Sequence, residues 1–209
     1  DILEVLKRFE NGKKREFKTF KASNKAAVKT QKKKTEQAYI YFGSPFEINP
    51  KDENVYIAKV ASFILGGSGF GSRLMEEIRV KRGLAYSAYG YISINKTYSN
   101  FSGYLQTKLE STNEAKDLVS KIVSEFVSKG ITQKELDSAK KFLSGSEPLR
   151  TETLSQRLNR AFMLHYKGLE QNYPSLELEQ IDKLTLDKLN SYIKSHNEIN
   201  KLSFSIVRN

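Results

Sequence analysis

The run "LGGSGFGSRLMEEIRVKRGLAYS", from Leu65 to Ser87, restricts the fold more than any other part of this 209-residue chain. It joins a helix end, a glycine turn, an amphipathic helix and the start of a strand with no linker between them. Upstream, Ile57, Val60, Ala61, Ile64 and Leu65 recur at i, i+3, i+4, i+7 and i+8, one apolar helical face. Asn49 reads as the N-cap of that helix and Pro50 as its first residue. Gly66 and Gly67 stop it. A second helix is predicted from about Ser72 to Lys81, and Gly83 then turns the chain into the strand "GLAYSAYGYISI". Period-2 alternation puts Tyr86, Ala88, Gly90, Ile92 and Ile94 on one face of it.

The remaining elements follow the same logic. "AAVKTQKK" and "QAYIYFGSPFEI" read as two strands, and "NFSGYLQTKL" as the hairpin partner of the strand after Gly83. Ser111 to Glu114 reads as a capping box that opens a helix with Ala115, Leu118, Val119, Ile122, Val123 and Phe126 on one side, ended by Gly130. Thr132 to Glu135 is a second box, with Ile131 and Leu136 at the staple positions. Residues 150–168 carry more helical pattern, Thr185 caps a further helix, and "KLSFSIV" is a final strand. The order of elements predicts an α+β fold: two layers, an antiparallel or mixed sheet with helices packed on one face. Residues 26–209 read as one domain, preceded by a short amphipathic start and a polar linker over residues 1–25.

Composition excludes several functions. Cysteine is absent, so disulfides, Cys-ligated zinc, iron–sulfur clusters and a cysteine nucleophile are excluded. The two histidines, His165 and His196, have no second histidine or carboxylate at helical ligand spacing, so this chain is expected to bind no metal. No apolar run reaches the length of a membrane span, and no signal peptide is visible. The net charge is +11, and the first 37 residues hold twelve Lys and Arg against five acids. Only Phe9, Phe17 and Phe20 are aromatic there, and all precede the Lys32–Lys34 run. Nucleic-acid binding would want aromatics interleaved with the charge, so a solvated linker and a lysine-bearing edge strand fit better. The glycine cluster at residues 66–71 follows a helix rather than a strand and lacks the Lys-Ser/Thr ending of a phosphate loop.

Arg79 near the helix end and Tyr86 near the strand start flank the turn at Arg82 and Gly83. A guanidinium and a phenol converging at that corner would both donate hydrogen bonds to a developing oxyanion. On spacing alone the plainer reading is favoured, with Arg79 a helix-end cation and Tyr86 a core aromatic.

The run from Leu65 to Ser87 resembles the pitrilysin, insulinase and mitochondrial processing peptidase family of zinc metallopeptidases. "GITQKELDSAKKFLSG" and "LEQIDKLTLDKL" match two further family patterns in the same order, so the resemblance spans about Gln37 to Val207. The family is built from similar α+β halves, of which the first carries the zinc motif H-x-x-E-H. This chain has no such motif and so resembles the second half, which implies that residues 1–25 are a linker from a missing N-terminal half and residues 26–209 the C-terminal, substrate-closing domain. The resemblance implies that Tyr86 donates to the scissile carbonyl oxygen, and that Arg79 binds substrate backbone and orients Tyr86. It also implies a weaker substrate contact at Gly67, Ser68 and Gly69. Zinc would lie in the partner half, on the same polypeptide or a separate one, and this chain alone would hydrolyse nothing. Substrates would be peptides or unfolded polypeptides, and the full protein a homodimer or heterodimer. The alternative within the same fold is a scaffold without catalysis. The cytoplasm is the default location, with the periplasm as the alternative. The chain starts at Asp1 rather than Met, which reads as a processed chain or a fragment.

Overall fold

A computed structural model describes residues 2–10, 12–13 and 16–209. Asp1, Asn11, Lys14 and Arg15, within the stretch read as a linker, lie outside the described residues. Five strands form one mixed sheet: β1 (Val28–Lys32), β2 (Gln37–Pro45), β3 (Ala85–Ile94), β4 (Ser99–Lys108) and β5 (Ser203–Arg208). Their spatial order is β1-β5-β2-β4-β3, with β1 parallel to β5 and every other pairing antiparallel. The helices are α1 (Ile2–Leu6), α2 (Val55–Ser62), α3 (Arg73–Met75), α4 (Thr112–Lys129), α5 (Gln133–Gly145), α6 (Leu154–Lys167), α7 (Tyr173–Asp182) and α8 (Leu186–Ser195). This is the expected α+β arrangement.

Alternation gives the sheet its two faces. Along β2, Ala38, Ile40 and Phe42 are buried, while Tyr39 and Tyr41 between them are not. Phe101 and Leu105 of β4 and Phe204 and Ile206 of β5 continue the inner face. They join one core with Ile57, Val60 and Leu65, with Val119, Ile122 and Phe126 of α4, and with Leu189 of α8. Fully burying one such side chain contributes about 1.5–3 kcal/mol. The outer face carries tyrosines instead. Tyr41, Tyr104 and Tyr89 stand side by side across three strands, and the rings of Tyr41 and Tyr104 lie 4.7 Å apart. That face stays open to solvent, with Tyr41 and Tyr91 both exposed. Helix α6 also stands off the core. Leu164 is its one buried residue, and Leu154, Leu158 and Phe162 are exposed at intervals of four.

Two helix starts differ from expectation. Asn49 and Pro50 do not open α2. The Asn49 side chain accepts from the amide of Lys51 at 2.9 Å, and Asp52 accepts from that of Asn54 at 2.8 Å. These side chains hold a turn, so the helix begins at Val55. Ser111 forms no capping box. Its backbone (φ −90°, ψ 4°) lacks the extended conformation a side-chain cap needs, and Thr112 Oγ1 donates back to the carbonyl of Leu109 at 2.7 Å. The box at Thr132 and Glu135 is complete, with both arms formed. Edge strand β1 is exposed at all five positions, three of them Lys or Gln and none large and aromatic. Ahead of it, the Phe20 amide donates to the Thr97 carbonyl at 2.6 Å, which lays that segment against the β3–β4 hairpin tip.

Candidate functional site

The site is built from two widened helical turns. Helix α2 continues as a π-turn over Phe63–Gly67, in which the Ser68 amide donates to the Phe63 carbonyl at 3.1 Å. Helix α3 continues as another over Glu76–Val80, with the Lys81 amide on the Glu76 carbonyl at 3.0 Å. Such turns often mark functional sites, because they rotate the side chains that follow them off the regular helical path. Gly66 lets the first turn press on the sheet. A Cβ there would stand 2.6 Å from the Gly90 nitrogen.

The second π-turn sorts the cations. Glu77 accepts from both Lys81 and Arg82 at 2.6 Å. These two bonds, from Lys81 first and then Arg82, hold its carboxyl below the usual range. Arg73 is bound by Glu135, through Nε at 2.6 Å and Nη2 at 2.9 Å, and by the Gly130 carbonyl at 2.7 Å. Burial raises the Glu135 carboxyl, but the bonds from Arg73 and Thr132 outweigh it and leave the group below its ordinary value. Arg79 has no ion pair among the described residues. Its guanidinium instead lies over the Tyr86 ring, 4.3 Å from the centroid, and over the Phe70 ring, 4.6 Å away.

Tyr86 reaches this position through a β-bulge. Ala85 faces Thr107 and Ala88 faces Leu105, so three steps on β3 match two on β4. The extra residue removes Tyr86 from the inner face that Ala88 and Gly90 share. Tyr86 is 81% exposed, which overturns both its placement on that face and its reading as a core aromatic. The corner itself is firm. The Gly83 and Leu84 amides donate back to Arg79 and Ile78 at 2.9 Å, and Thr107 Oγ1 donates to the Leu84 carbonyl at 2.6 Å. Gly83 adopts φ +60°, the conformation that favours glycine.

Gly67, Ser68 and Gly69 occupy the turn between the two helical segments. Gly67 ends the first π-turn. The Gly69 carbonyl accepts from the hydroxyl of Ser72 at 2.8 Å, and the Ser72 oxygen in turn accepts from the Met75 amide. These residues thus shape and cap α3. Phe70, which the sequence did not single out, stands between Gly69 (φ +64°) and Gly71 (φ +95°) and is 69% exposed. The flanking glycines were its only signal.

The site is open. Clefts of about 570 and 510 Å³ lie elsewhere on the described surface and one of about 680 Å³ runs along the Gly71, Arg73, Glu77 and Lys81 side of the same segment, but neither Arg79 nor Tyr86 lines any of them. The residues present do not suit zinc. Among the described residues no group of three His, Asp or Glu side chains is placed to hold a metal. His165 is exposed on α6, whereas His196 stacks on Phe46 at 4.3 Å and pairs with Glu198 at 2.7 Å.

Comparison with known proteins decides the family. Residues 2–143 match the family model described as the peptidase M16 inactive domain. The chain belongs to the peptidase M16 family. It is 50% identical over its whole length to "Non-peptidase homolog YmxG" of Helicobacter pylori, and covers 50% of that protein. It is 32% identical over 63% of its length to "Uncharacterized zinc protease YmxG" of Bacillus subtilis, and covers 32% of it. Its fold matches the crystal structure of a peptidase M16 inactive domain from Pseudomonas fluorescens with a TM-score of 0.83 and 25% identity. That match spans 95% of this chain and 46% of the other. The chain thus spans half or less of each of these M16 relatives.

Proposed function

We propose that this chain is the zinc-free, substrate-closing half of an M16 peptidase assembly, acting on extended peptides or unfolded polypeptides. The observation that carries the reading is the Arg79–Tyr86 pair: two hydrogen-bond donors in contact, Tyr86 exposed and Arg79 half-buried, with no acid among the described residues paired to Arg79. A donor pair on an open surface is half a site, and a second surface must bring the acceptor to it. The acceptor that suits it is the peptide carbonyl. A Tyr86 phenol aimed at that oxygen bonds it more strongly as negative charge develops, which favours the transition state over the ground state. Arg79 supports the same region through its N–H edge and holds the phenol ring by its face.

Zinc chemistry, on this reading, belongs to another half. The 50% identical relative is named a non-peptidase homolog, so on this reading the zinc site is placed on a separate polypeptide. A heterodimer would then combine one zinc-bearing chain with one chain that supplies Arg79 and Tyr86. The open tyrosine face of the sheet and the exposed apolar stripe of α6 are surfaces suited to packing against further M16 halves.

The same relative's name also favours a second reading, a scaffold of this fold with no catalytic part. One experiment separates the two. The full-length protein is purified with any H-x-x-E-H protein that binds it, and peptide turnover is measured with and without Tyr86→Phe. Loss of about 10²–10³ in kcat with binding largely retained is expected. Unchanged turnover sinks the oxyanion role. Failure of every zinc-bearing chain to associate moves the assignment to the scaffold.

A further inference from the structure

The geometry points to Phe70 as a positioning residue that clamps the Arg79 guanidinium against Tyr86 and leaves only its N–H edge for a polypeptide ligand. The inference rests on the reading of Arg79 as a polypeptide contact and adds a third member to that site. Three observations carry it. The guanidinium carbon lies over two aromatic rings, Phe70 at 4.6 Å and Tyr86 at 4.3 Å. It pairs with no carboxylate among the described residues, although Arg73, Lys81 and Arg82 on the same segment each have one. Phe70 itself is held off the body of the protein. It is 69% exposed, and no atom lies within 4 Å of where a Cβ would stand on Gly69 or Gly71.

Each observation has a physical consequence. A guanidinium presents its five donors in its own plane, so rings stacked against it leave that edge free. They do exclude water from the cation where they cover it, and a donor with less competing water bonds a carbonyl more strongly. A long side chain without a partner samples many rotamers. Contact with two rings confines it, so less entropy is lost when the ligand arrives. The in-plane edge that remains suits carbonyl oxygens along an extended chain, or a carboxylate. The open glycines on either side of Phe70 let the clamp form without strain and let the ring lift as a polypeptide enters.

The test uses the full-length protein with its zinc-bearing partner and a fluorescein-labelled casein peptide as probe. Phe70→Leu keeps the apolar bulk but removes the π face, and Phe70→Tyr keeps both. Phe70→Leu is expected to weaken binding of the probe by about three- to tenfold, and Phe70→Tyr to restore it. The proton resonance on Nε of Arg79, shifted upfield by two rings, moves downfield in Phe70→Leu and stays in place in Phe70→Tyr. A merely structural Phe70 would not produce that pattern. If the resonance does not move in Phe70→Leu, the clamp is absent and the inference falls. If it moves while affinity stays the same, and Arg79→Ala still weakens binding, Phe70 does not position Arg79 for the ligand and the inference again falls. If Arg79→Ala itself leaves binding unchanged, the reading of the site fails, and the role of Phe70 fails with it.

Discussion

Arg73 and Arg79 stand on one short helical segment, and each meets an aromatic ring, yet their surroundings differ. Arg73 lies 5.4 Å from the Phe126 ring, is four-fifths buried, and is gripped by Glu135 and the Gly130 carbonyl. It ties α3 to the junction of α4 and α5. Arg79 lies against two rings and pairs with no acid among the described residues. Glu77 does lie close by in sequence, but the π-turn delivers it to Lys81 and Arg82. A cation fully bonded inside the fold contributes stability and has nothing left for a ligand. A cation kept free of acids contributes little stability and retains its donors. The contrast separates the part of this segment that holds the domain together from the part available for recognition.

The largest effect expected from breaking this contrast is on the recognition side. Arg79→Ala should lower peptide turnover of the assembled enzyme by roughly a hundredfold, while the unfolding free energy changes by less than about 0.5 kcal/mol. Steady-state kinetics and urea unfolding of the same preparation check both halves of the statement. Arg73→Ala should do the reverse. It removes three hydrogen bonds, two of them charge-assisted on both sides, and leaves the half-buried Glu135 without its cation. A destabilisation of about 2–3 kcal/mol is expected, with turnover per folded molecule near that of the parent. Equal loss of stability in both variants would abolish the distinction.

Much of this was legible in the sequence, for reasons that particular residues make clear. The helix faces at Ile57–Leu65 and Ala115–Phe126 were readable because a period of 3.6 needs no knowledge of partners, and all their residues are buried. The Thr132 box was readable because its two hydrogen bonds are local. A meeting of Tyr86 and Arg79 at the corner was open to the sequence but not favoured by spacing alone, and alternation set Tyr86 on the wrong face of β3. The bulge that re-aims it exists only in the register between β3 and β4, a pairing that one strand's alternation cannot report. The two π-turns were hidden for a similar reason: their residues have ordinary helical character, and tertiary packing sets the wider turn. Asn49 and Ser111 had the right chemistry for caps, but the Asn49 side chain serves a turn instead and the Ser111 backbone lacks the extended conformation that a cap needs.

Acid sharpens the comparison on the Arg73 side. Burial pushes the Glu135 carboxyl up, but the bonds from Arg73 and Thr132 outweigh it and hold its folded pKa below the ordinary carboxylate value. Its contribution to stability is therefore fully present above the unfolded value and is lost as pH falls through the lower folded value. Thermal melting followed downward from pH 4.5 should show Tm falling, and Glu135→Gln should flatten part of that fall. An unchanged slope in the variant would mean that the Arg73–Glu135 pair is not the source. Arg79, with no carboxylate partner, should leave the slope as it is when replaced by Ala.

The smallest expected effect tests whether the segregation of charge is real. Glu77→Gln frees Lys81 and Arg82 of their acid, but both pairs lie at the surface, where exposed ion pairs contribute little. The melting midpoint should barely move. Turnover should also hold, because the Glu77 carboxylate bonds Lys81 and Arg82 rather than Arg79, whose contacts are the Phe70 and Tyr86 rings. Suppose instead that Glu77→Gln reduced turnover as far as Arg79→Ala does. The acid would then act on the recognition side after all, and the two arginines would differ in burial alone. Titrating salt in the same assay distinguishes the cases. A Glu77 that only neutralises Lys81 and Arg82 leaves a variant whose small excess of surface charge is screened away by salt, while a loss at Arg79 persists at every ionic strength.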